Sequence, residues 1–122
     1  MQIALYAAAV LLVAIAAAHS YLGEQYILIR LFRRDNLPKL FGGTEFTRLT
    51  LRFAWHITSL AWLGFAGVLV LLAHPPADPS RLGLVVGLTF LAHGLLAGVA
   101  SKGKHLSWIV FLAVGILAIW GT

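Results

Sequence analysis

The sequence predicts an all-α integral membrane protein: four transmembrane helices in an up-down-up-down bundle, with both termini on the non-cytoplasmic side. Three observations carry this. First, 61% of the 122 residues are hydrophobic and only 11% are charged, whereas roughly a quarter of a soluble domain is charged. Second, the chain has four long apolar stretches, Ile3–Ala18, Phe53–Ala73, Leu82–Ala100 and Leu106–Trp120. About 20 residues of helix cross the hydrocarbon core of a bilayer. Third, eight of the nine Lys and Arg residues fall at one end of this pattern. The expected spans are 3–29, 46–73, 82–100 and 105–120, and residues 1–122 form one transmembrane domain.

The first span starts as an alanine-rich helix, whose small side chains let a neighbouring backbone approach closely. His19, Ser20, Gly23, Glu24 and Gln25 interrupt the apolar pattern without breaking the helix. Arg30, Arg33 and Arg34 follow, and Asn36-Leu37-Pro38 ends the helix, because the residue before a proline avoids helical backbone. Gly42-Gly43 is the expected turn, with Thr44 as N-cap and Glu45 in the first turn of the second helix. On that helix Arg48, Arg52 and His56 are spaced four apart, on one face.

The proline-stiffened segment 74–80 connects the second and third helices. In the third, Gly83, Gly87, Gly94 and Gly98 fall within about 60° of one another around the axis. They form a small-residue stripe that packs against another helix, either in the same chain or in a second copy or larger complex. Ser101-Lys102-Gly103-Lys104 is the last turn. The fourth stretch is the shortest, and would tilt little or begin inside the headgroup layer.

Arg30, Arg33, Arg34, Lys39, Arg48, Arg52, Lys102 and Lys104 share one side, and Arg81 alone lies opposite. By the positive-inside rule, segments 30–52 and 101–105 are cytoplasmic, and the expected location is a bacterial plasma (inner) membrane. The same asymmetry excludes a dual-topology exporter. A transmembrane β-barrel is excluded because its strands alternate apolar and polar residues. A soluble bundle is excluded because its helices need polar outer faces. The n-region Met1-Gln2 carries no cation, so a cleaved signal peptide is not expected. There is no cysteine, which removes disulfides and thiolate ligands. The net charge of +5 serves topology and lipid contact, not nucleic-acid binding.

Each helix brings a histidine to the basic side. His19 lies about 16 Å of helix from Arg30, Glu24 about 9 Å from it, His56 about 6 Å from Arg52 and His93 about 14 Å from Lys102. Ionisable groups at such depths are costly and need a purpose. Imidazoles with a carboxylate suit a transition metal (iron, zinc or copper), and a histidine pair at equal depth, His19 and His93, suits haem. This predicts a site of His19, Glu24, His56 and His93 for redox or lipid- or quinone-directed chemistry, with Glu24 and His56 as catalytic groups. The alternatives are a small oligomeric proton-coupled transporter using Glu24 and His19, and a non-catalytic subunit of a larger membrane complex. Glu24 also has a purely structural option, an ion pair with Arg48 or Arg52 that ties the first two helices together. His19 and Glu24 are five apart and diverge by about 140° on a straight helix, so they need not serve one site. His74 and His105 read as interfacial residues.

Overall fold

The computed structural model describes all residues 1–122 and is all-helical, with no strand. Helix α1 covers Gln2–Leu31, α2 Glu45–Leu72, α3 Pro79–Ala100 and α4 Ser107–Trp120. The first three are long and apolar enough to cross a membrane. Helix α4 has 14 residues, or about 21 Å, short of the full hydrocarbon thickness. Only 16 of the 122 residues are buried, and the exposed surface is rich in large apolar side chains. Apolar surface on this scale marks contact with lipid or with other protein.

Successive helices run antiparallel. Tyr6 of α1 bonds His74 beyond the end of α2, and Glu24 meets Arg52. Gly67 of α2 lies opposite Val85 of α3, and Gly98 of α3 opposite Trp108 of α4. Each helix packs on its chain neighbours, and α1 comes close to neither α3 nor α4. The bundle is therefore an open row, with α1 at one edge and α4 at the other.

Small residues set the closest approaches. On α1, buried Ala9, Ala16 and Gly23 recur every seven residues, and Ser59, Ala66 and Ala73 do the same along the second helix and its cap. Seven-residue spacing keeps them on one seam between antiparallel helices. The glycine stripe of α3 is covered by α4 of the same chain. A Cβ on Gly94 would lie 2.7 Å from Leu112, and one on Gly87 2.8 Å from the Gly115 carbonyl. The reciprocal Cβ on Gly115 would meet Gly87 O, also at 2.8 Å. A second copy would therefore have to use another surface. Gly87→Ala is expected to cost about 1–3 kcal/mol through overpacking and to lower the melting temperature in mild detergent. At Gly98 a Cβ meets Trp108 at an ordinary 3.5 Å, so Gly98→Ala should leave melting unchanged or slightly raised. Equal melting of the two variants would contradict the close crossing at Gly87.

Both ends are tied. At the basic end, Lys102 Nζ lies 2.7 Å from Glu45 Oε1 and Lys104 Nζ 3.6 Å from Oε2, joining the last turn to the start of α2. At the other end, Ser80 Oγ donates to Thr122 O at 2.9 Å. Asp78 caps α3, accepting from Ser80 N–H at 3.0 Å, with Pro79 at the first helical position. Thr44 occupies the expected N-cap position of α2, but its side chain accepts no capping bond. The expected Gly42-Gly43 turn lies one residue earlier. Phe41 and Gly42 take positive φ (54° and 86°) between Leu40 and Gly43, which bond each other's backbone.

Candidate functional site

The α1–α2 seam carries a continuous polar chain. Arg52 clamps Glu24, with Nη2 2.9 Å from Oε1 and Nε donating to Oε2 at 3.3 Å. His56 Nε2 lies 3.2 Å from Glu24 Oε2, and its Nδ1 lies 2.9 Å from Ser20 Oγ. Ser20 Oγ donates to Ser59 Oγ at 2.8 Å, and Ser59 Oγ is 2.9 Å from His19 Nδ1. The chain therefore reads Arg52, Glu24, His56, Ser20, Ser59, His19, alternating between two helices. Its order follows from helical spacing. Ser20 and Glu24 are four apart on α1, and Arg52, His56 and Ser59 are four and three apart on α2, so antiparallel packing interleaves them. Arg52 is its most exposed member and Ser59 its most buried. Side-chain exposure is 44% at Arg52, 27% at His56 and 26% at Glu24, and Ser59 is buried.

Helix α1 changes geometry at this site. Gly23–Leu28 forms a π-helical turn, a feature that often marks functional positions. The Trp55 indole lies directly on Gly23, where any Cβ would overlap the ring. Its Nε1–H donates to the His19 carbonyl at 3.0 Å, while the Gly23 N–H is shared between the carbonyls of His19 and Ser20. An inserted donor of this kind loosens the regular ladder. His19 and Glu24 join one network across the seam, through His56 and Ser59 of α2 with Ser20 between them.

His19 sits between two indoles. Its ring stacks on Trp55 with centroids 4.6 Å apart and planes 3° apart, and Trp62 lies at 4.9 Å. Trp55, whose position fits an interfacial belt, is instead an inter-helix wedge. Arg52 is held from its other side by Phe32, 5.0 Å from the ring centre.

His93 stands apart. It is buried in α3, its Nδ1–H donates to Thr89 O at 2.6 Å, and its ring contacts Phe90 and Phe111. The expected pairing of His19 with His93 is not made, because α1 and α3 do not pack together. No three histidine or carboxylate side chains converge as a metal-ligand set. So Glu24 and His56 are together, His19 joins them through two hydroxyls, and His93 does not. His105, between Phe46 and Phe53, and His74, bonded to Tyr6, are helix-end packing residues. The sequence signals for the linking groups are the pairs Ser20/Glu24 and His56/Ser59. Nothing in the sequence marks Gly23 as the seat of Trp55.

The fold and seam define an all-helical protein with three helices long and apolar enough to cross a membrane and a polar chain between the first two. Comparison with known proteins adds no family: no family model, curated protein or solved structure matches the chain.

Proposed function

We propose that this is a proton-relay protein of the plasma membrane, serving proton-coupled transport, with its basic end in the cytoplasm. The observation that carries the reading is the unbroken chain from Glu24 through His56, Ser20 and Ser59 to His19. Every member can both give and take a proton or hydrogen bond.

The step balances. With Ser20 donating to Ser59, Ser59 donates to His19 Nδ1, and His56 Nδ1–H donates to Ser20. In the loaded state of the proposed relay His56 Nε2 also holds a proton toward the Glu24 carboxylate, so that the proton to be passed on sits on an imidazolium. Transfer moves the Nδ1 proton of His56 to Ser20, the Ser20 proton to Ser59, and the Ser59 proton to His19 Nδ1. His56 ends neutral, His19 ends charged, and both hydroxyls have reversed direction. Glu24 and Arg52 anchor the loading end. The metal and haem reading has no comparable support, because its ligands are not assembled.

The stacked Trp55 reports the arriving charge, since imidazolium quenches indole fluorescence. In vesicles acidified on the basic side in a stopped-flow instrument, tryptophan emission should fall as His19 charges, and His19→Leu should remove that phase. Ser59→Ala should slow it at least about a hundredfold, the low end for losing a proton-transfer group, whereas Ser59→Thr keeps the hydroxyl and the rate. Equal rates for Ser59→Ala and wild type would overturn the relay.

A further inference from the structure

A second site lies on the other side of α2. A groove of about 160 Å³ runs between α2 and α3, lined by Ala61, Gly64 and Phe65 from one helix and Val86, Phe90 and His93 from the other. It is apolar except at one point. The Thr89 hydroxyl is spent on Val85 O at 2.7 Å, and Thr89 O is occupied by His93. A ring nitrogen 2.6 Å from a carbonyl oxygen must carry the hydrogen, so Nδ1 is the donor. The neutral ring then presents Nε2 as a bare acceptor, and Nε2 makes no hydrogen bond within the protein. His93 is only 5% exposed, and its ring is braced by Phe90 at 5.5 Å and Phe111 at 5.6 Å. A fixed acceptor at the wall of an apolar groove is costly unless something donates to it.

We propose that this groove binds a ring-sized hydrophobic molecule bearing one hydroxyl, which donates its hydrogen bond to His93 Nε2. The volume sets the size: a dry apolar cavity of about 150 Å³ holds a benzene ring. The surroundings set the class. No cation or carboxylate lines the groove, so it takes a neutral phenol-like headgroup and not a phosphate or a carboxylic acid. Phe65 and Val86 are exposed at the rim, on the lateral surface that faces lipid, so the ligand arrives from the hydrocarbon phase. The site shares no residue with the relay and stands whether or not protons move along it.

The test uses the whole protein in lipid nanodiscs, with 4-propylphenol and its methyl ether, 4-propylanisole, as probes. The ¹⁵N signal of His93 Nε2 should move in a saturable way toward the hydrogen-bonded position with the phenol, and stay put with the ether. Affinity for the phenol should exceed that for the ether at least about tenfold, the scale of one hydrogen bond. Val86→Trp, which fills the groove from its exposed rim, should weaken phenol binding at least as much. His93→Leu should erase the preference for phenol over ether. An Nε2 signal unmoved at saturating phenol, equal affinity for both probes, or phenol binding unaltered in Val86→Trp would each overturn the proposal. None of the three needs a substitution in the buried core.

Discussion

Glu24→Gln is expected to slow the charging of His19 by roughly a hundredfold, in the range for removing a group that accepts or delivers a proton. The amide keeps the size of the carboxylate but cannot hold a negative charge. His56 then loses the anion 3.2 Å from its Nε2, and Arg52 loses its two-oxygen clamp, since the amide keeps only one acceptor. Breaking a buried ion pair costs about 3–5 kcal/mol. Here both partners are partly exposed, so the loss should be nearer 1 kcal/mol, and the variant should fold. The stopped-flow tryptophan signal and a melting curve measured together separate the effects. A variant that melts lower yet charges His19 at the wild-type rate would show that Glu24 is only a tie between helices. Arg52→Lys provides the contrast. It keeps the charge while losing the two-point clamp, and should cost far less speed than Glu24→Gln.

Gly23→Ala is the other large effect. One methyl group would occupy space held by the Trp55 indole, and overpacking of this kind costs about 1–3 kcal/mol. The indole must move, which breaks its bond to His19 O and unstacks His19. We expect a lower melting temperature and loss of the fluorescence phase in one step. Combining Gly23→Ala with Trp55→Ala should recover much of the lost stability, because the second change empties the space that the first fills. Such non-additivity is the signature of residues in contact. Additive melting shifts would mean that the two do not share that space.

The sequence resolves the helices well and the site only in part. Long apolar runs bounded by Pro38, Pro75 and Gly103 leave few options for where helices lie, and the observed ends fall within a few residues of those expected. The tie between Glu24 and Arg52 is legible as opposite charges at similar depth on successive helices. The π-helical turn is not, because it depends on where one indole lands, and that is fixed by the register of two helices, not by either alone. His93 shows the same limit. Its depth matches that of His19, but depth says nothing of which neighbours a helix has, and an open row keeps the first helix away from the third. The glycine stripe is visible as a packing face, and only the short loop 101–106 that folds α4 back on it decides the partner.

The arrangement of helices in a row also bears on the order of assembly. Every group in the polar chain lies between residues 19 and 59, and every hydrogen bond that shapes it comes from α1 or α2. Chains fold from the N-terminus as they are made. The first hairpin can thus close its seam while the ribosome is still adding α3. The later pair, locked by Gly87 against Gly115, then docks on an already finished polar seam. Damage confined to the second hairpin should spare the proton path, whereas a fault in the first leaves the second with nothing correct to dock against.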